Sequence, residues 1–98
     1  MKLWLDDVRP APPGWTHART VDEAQTWLAT GVVEEASLDH DLGFEQPDGS
    51  MLVRWMAMTG HWPKQRPVVH SMNPVGRVYM VGVIDRYFGT GGQGDGQG

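Results

Sequence analysis

A small three-layer α/β sandwich on a four-stranded parallel sheet is the fold that the sequence predicts. Short apolar runs alternate with segments of helical periodicity, the pattern of parallel strands joined by right-handed crossovers. Three of the runs end on dense polar clusters: Leu5-Asp6-Asp7-Val8-Arg9-Pro10, Leu38-Asp39-His40-Asp41-Leu42-Gly43 and His70-Ser71-Met72-Asn73-Pro74. The length, 98 residues, allows one modest core and no second one.

Lys2–Leu5 reads as a strand ending at the acidic pair, and Val8–Gly14, with three prolines and a glycine, as a loop. Trp15–Ala18 is a short second strand. Thr20-Val21-Asp22-Glu23 fits a capping box, after which Val21, Ala24, Trp27 and Leu28 form one apolar helical face that Gly31 ends. Val32–Leu38 leads into the next strand, and Gly43–Gly49 loops over the strand ends. Ser50–Thr59 is a helix with Leu52, Trp55 and Met56 inward, stopped by Gly60. Pro67–Val69 begins a buried strand. Asn73 then caps a helix with Pro74 at its first position, running to about Phe88 with Val75, Tyr79, Val83 and Tyr87 on one face. Helices are expected on both sides of the sheet. The five tryptophans and six methionines are expected to help fill the core, with Trp4, Trp27 and Trp55 at core positions. Residues 1–88 form the domain. The segment 89–98, of Gly, Gln, Thr and Asp, is expected to be a disordered tail.

The net charge of −4 argues against an extended nucleic-acid groove but not against binding one phosphate group. With no cysteine there is neither a disulfide framework nor a zinc–thiolate site. Asp6 comes too early for a signal peptide and no apolar run reaches transmembrane length, so a cytoplasmic protein with no membrane contact is expected.

Parallel strands would bring the three polar clusters to one edge, outside the carboxyl ends of the strands, where open α/β sheets bind ligands. Asp6, Asp7, Asp39 and Asp41 would repel one another there unless a divalent cation, Mg²⁺ or Mn²⁺, sat between them. The bland reading makes Asp6 and Asp7 loop and capping acids, with Asp7 paired to Arg9. His40 and His70, each beside polar neighbours, suit acid–base work near neutral pH; the alternative for each is a structural hydrogen bond. His17 and His61 read as structural. Ser71, Asn73 and the start of the last helix form an anion cradle that Arg77, one turn in, could reach, with Arg9 folding over the site.

The layout resembles the receiver domain of two-component response regulators. Asp6-Asp7 match that family's acidic pair, Asp39 its phospho-accepting aspartate, Asp48-Gly49 the Asp-Gly that opens its following helix, and Ser71 the hydroxyl residue ending its fourth strand. The sequence departs from it in two ways. A proline loop replaces the first helix, and no fifth strand follows to carry the family's lysine, for which Lys64 cannot substitute. Closer still, Leu-Asp-Asp-x-Arg-x-x-Pro (Leu5 to Pro12), Asp-His-Asp-Leu-Gly (Asp39 to Gly43) and His-Ser-x-Asn-Pro (His70 to Pro74) resemble the cyclic-phosphate processing receiver domains over about residues 2–88. The resemblance implies a truncated receiver-like (flavodoxin-like) fold that handles cyclic phosphates of nucleotides or RNA ends.

The leading expectation is thus a metal-assisted phosphoesterase. Asp6, Asp7, Asp39 and Asp41 hold the cation, His40 and His70 with Asp39 are catalytic, and Ser71, Asn73, Arg77 and Arg9 hold the substrate. The rivals are a module that binds a cyclic nucleotide without turning it over, and a degenerate receiver phosphorylated on Asp39. A homodimer through the outer face of the last helix is left open.

Overall fold

The computed structural model of the chain describes residues 1–89. The elements are β1 (Lys2–Leu5), β2 (Trp15–Ala18), α1 (Val21–Ala29), β3 (Glu35–Leu38), α2 (Gly49–Thr59), β4 (Val68–Val69) and α3 (Pro74–Tyr87). The strands are all parallel and lie in the order β2-β1-β3-β4, so the expected receiver-like α/β fold is the one that forms. The expected tail falls, from residue 90 onward, outside the described residues.

Local chemistry sets the helix starts. Thr20 accepts the Glu23 N–H at 3.2 Å, and Glu23 reaches back to the Arg19 N–H, one residue before the cap. Asp48 caps α2 by accepting from the Ser50 and Met51 N–H groups. Asn73 caps α3 through the Gly76 N–H at 3.0 Å, with Pro74 at the first helical position as expected.

Strand register sorts the side chains into two faces. Leu3, Leu5, Ala18, Ala36, Leu38 and Val69 point one way and are buried. They join Val21, Ala24 and Leu28 of α1, Leu52, Val53 and Met56 of α2, and Met80 and Ile84 of α3 in one cluster. All three helices therefore cover the same face of the sheet.

The alternate residues, among them Lys2, Trp4, Trp15, His17, Ser37 and Val68, form the other face. No helix among the described residues covers it, contrary to the expectation of helices on both sides. A right-handed β1-to-β2 crossover runs on this side, and its prolines, which lack N–H donors, leave it a loop. The Trp4 indole N–H donates to the Arg9 carbonyl at 3.0 Å, tying that loop across the sheet as a thin third layer. Lys2, 3.9 Å from Glu35 and 5.7 Å from the Trp15 ring centroid, gives the face a polar dressing.

The aromatic contribution to the core is smaller than expected. The buried cluster is aliphatic apart from Met56 and Met80, while Trp4 and Trp55 are half-buried and Trp27 is exposed. On α3 the core face is Gly76, Met80 and Ile84, so the stripe beginning Val75 and Tyr79 lies on the outer side.

Candidate functional site

The parallel ladder continues one residue past the strands. Asp6 N–H donates to Ala18 O at 3.1 Å, Asp39 N–H to Leu5 O at 2.9 Å, and His70 N–H to Leu38 O at 2.9 Å. This sets Asp6, Asp39 and His70 side by side at the carboxyl edge of the sheet. One ligand atom from each lies within 4.8 Å of those of the other two.

Asp6 is fully buried. Its Oδ1 accepts the Val8 and Arg9 N–H groups at 2.9 and 2.8 Å; its Oδ2 lies 3.0 Å from His70 Nε2 and 3.6 Å from the Arg9 guanidinium. Burial alone would raise its pKa. The Arg9 and Val8 amides and the His70 ring outweigh burial and hold the carboxyl below the ordinary aspartate value. A carboxyl depressed in the folded state adds stability above its unfolded pKa of about 3.9, and that stability is lost as pH falls through the lower folded value. Asp6→Asn is therefore expected to lower the melting temperature near neutral pH, by about 10 °C for the loss of about 2 kcal/mol. The gap to wild type should narrow below about pH 4, where the wild-type carboxyl also takes up its proton. Thermal melts across pH, with chelator present, check this; a gap constant down to strongly acidic pH would contradict it.

His70 is held from three sides. In the tautomer that satisfies both contacts, Nε2–H donates to Asp6 and Nδ1 accepts from the Ser37 hydroxyl at 2.7 Å. Its ring stacks on Trp4, centroids 4.0 Å apart and planes 6° from parallel. Ser37 and Trp4 are paired residues of β3 and β1, and the short serine lets the imidazole lean back over the sheet. Asp39 is 7% exposed, and the only hydrogen bond to its carboxylate among the described residues brings the His40 N–H to Oδ1 at 2.8 Å.

A cleft of about 510 Å³ opens above this edge. Asp7, Asp39, Asp41 and Asp48 line it, opposed by the single guanidinium of Arg9. Its wall is the loop between β3 and α2, pulled in by the Gly49 N–H donating to the His40 carbonyl at 2.8 Å.

His40 stands at the far side of that wall. Nδ1 donates to Asp41 Oδ1 at 2.8 Å and Nε2 lies 3.5 Å from Asp48 Oδ2. The bond from His40, joined by one from Asn73, holds the Asp41 carboxyl below the usual aspartate range. The ring packs flat on Gly76 in the first turn of α3, where an added Cβ would come within 2.4 Å of His40 Cγ and Cδ2. His40 faces a second cavity, a groove of about 350 Å³ between α2 and α3.

Asp6, Asp39 and His70 are thus brought together, with Asp7, Asp41 and Arg9 around the adjoining cleft. Neither His40 nor His70 lines the acidic cleft, and His40 lines the groove between α2 and α3. Asn73 reaches Asp41 at 3.3 Å, and the buried Ser71 hydroxyl accepts the Asn73 N–H at 3.0 Å. Arg77 is exposed and lines neither cavity. His17, read as structural, meets the Asp6 carbonyl at 2.7 Å. Sequence reasoning missed Asp48 as a partner of His40, Ser37 and Trp4 as the supports of His70, and Gly76 as the floor under His40. Strand alternation already placed Ser37 and Trp4 on the face that His70 joins; nothing in the sequence marks Gly76.

No helix among the described residues is long and apolar enough to cross a membrane. No curated protein and no solved structure matches the chain. The family model of the cyclic-phosphate processing receiver domain matches residues 1–86, across the whole sheet and nearly all of α3. The chain belongs to that family.

Proposed function

We propose that the domain opens a cyclic phosphate ester on a nucleotide or RNA end, with a divalent cation bound at the acidic edge. The observation that carries this reading is the buried Asp39 carboxylate beside Asp6 and His70, all three within ligand distance of one another. No cation of the chain pairs with Asp39 among the described residues. The donor set fits a divalent ion, two carboxylates and an imidazole, once His70 takes the other tautomer, with Nδ1–H donating to the Ser37 oxygen and Nε2 free to ligate; the second carboxylate oxygens stay engaged by Val8 and Arg9 or by His40. Carboxylates with imidazole suit Mn²⁺ as well as Mg²⁺. When bound, the ion would offset charge on the phosphoryl oxygens.

The remaining work falls to the chain's own side chains. Arg9, at the rim of the cleft, orients a phosphoryl oxygen. Ring opening adds water to phosphorus, breaks one ester P–O bond and delivers a proton to the leaving oxygen, giving a phosphomonoester. His40 stands behind the cleft wall with its nitrogens on Asp41 and Asp48, which line the cleft, and in this scheme its proton passes to the leaving oxygen through one of these carboxylates. His70, fixed by Asp6, Ser37 and Trp4, belongs to the cation site.

Phosphorus NMR with 2′,3′- and 3′,5′-cyclic mononucleotides and an RNA ending in a cyclic phosphate, with Mg²⁺, Mn²⁺ or chelator, tests the reading. Metal-dependent ring opening is expected, falling about 100-fold or more in His40→Ala and losing its metal dependence in Asp39→Asn. Shifts on binding with no product would make the domain a sensor of cyclic phosphates, and full turnover in His40→Ala would remove that residue's role.

A further inference from the structure

The acidic cleft has no aromatic side chain in its lining, so a nucleobase has nothing to stack on there. The groove between α2 and α3, on the other side of His40, has the complementary chemistry. At about 350 Å³ it falls within the size range of small-molecule sites, roughly 300–1,000 Å³. Tyr79, a residue 46% exposed, forms one wall. Arg54 forms the other, and its guanidinium makes no hydrogen bond or ion pair among the described residues. Gly76, bare of a side chain, and Val75 leave a flat floor beside the His40 ring.

An aromatic platform facing an unneutralised guanidinium suits a flat ring that carries hydrogen-bond acceptors at its edge. Stacking serves every base, while a guanidinium fork reads acceptor pairs. His40 joins the two cavities: its ring faces the groove, and both its nitrogens meet carboxylates of the cleft.

We infer that the α2–α3 groove seats the nucleobase of the nucleotide that bears the cyclic phosphate, with Tyr79 as stacking platform and Arg54 as edge reader. This rests on the proposed function, since it places the phosphate on the cleft side of His40. Tyr79 and Arg54 are specificity determinants; neither takes part in bond breaking.

The test is calorimetric binding of the full chain, with Mn²⁺, to 2′,3′- and 3′,5′-cyclic AMP and to glycerol 1,2-cyclic phosphate, which has the ring phosphate but no base. At least one cyclic nucleotide should bind about tenfold or more tightly than the base-free ester. Tyr79→Ala and Arg54→Ala, both at exposed positions, should erase that advantage and leave the base-free ester unaffected, while Tyr79→Phe should keep it. Equal affinity for nucleotides and ester, or an advantage that survives both alanine variants, overturns the groove assignment and leaves the proposed function standing. Binding of none of the three ligands overturns both.

Discussion

Gly49→Ala should destabilise the domain by about 3 kcal/mol, a large share of what a small domain has. An alanine Cβ there would stand 2.1 Å from the Asp39 carbonyl oxygen and 3.0 Å from its carbon. The Met80 methyl, at 2.8 Å, can swing aside. The Asp39 backbone cannot, because its N–H is a rung of the sheet to Leu5 and the next carbonyl, of His40, accepts from Gly49 itself. Something must therefore be pulled from either the sheet or the start of α2. Thermal unfolding followed by circular dichroism should show a melting temperature lower by about 15 °C. Gly82→Ala is the control: nothing lies within 4 Å of its Cβ, and alanine should help an exposed helix position by about 1 kcal/mol. Equal melting temperatures for the two variants would show that the loop before α2 yields cheaply.

The second large effect falls on chemistry. Gly76→Ala would place a methyl within 2.4 Å of two atoms of the His40 ring. Unlike the Asp39 backbone, that ring can rotate away, and alanine is the better helix former by about 1 kcal/mol. The fold should survive with a melting temperature close to wild type while His40 leaves Asp41 and Asp48. Under the proposed function, ring opening should then fall about 100-fold, matching loss of the imidazole itself. A shifted His40 Hε1 resonance would establish the displacement. A displaced ring with undiminished turnover would show that His40 does not transfer the proton.

These two glycines mark the limit of what a sequence discloses. The strand ends, the caps at Thr20 and Asn73 and the convergence of Asp6, Asp39 and His70 follow from short-range rules: alternation, capping chemistry and the direction of parallel strands. Which side of the sheet a residue occupies also follows from alternation, yet the sidedness of the layers does not follow from helix count. It depends on the β1-to-β2 connection being a proline loop, which leaves Trp4 as a support for His70 rather than a core residue. His40 lies on the α2–α3 groove, away from the place of His70 over the sheet, for a related reason. His70 follows Val69 straight off a strand and stays over the sheet, whereas His40 is one residue further along and turns under α3 onto Gly76. Two residues past a strand end, alternation no longer holds and tertiary contacts decide. Being one turn into α3 does not fix the flank of the helix, and Arg77 is exposed and lines neither cavity.

The closing bond between His70 and Asp6 joins residues 64 apart in sequence. Every other rung that places the cluster also spans a crossover, since the sheet contains no hairpin. No fragment shorter than residues 6–70 contains the cluster, and no sheet lacking β1, β3 or β4 contains it either. Asp6 and Asp39 meet where β3 pairs with β1, but His70 joins them only where β4 is docked on β3, so the complete cluster requires the whole sheet. Under the proposed function, a nascent or damaged molecule would then be inert rather than indiscriminate.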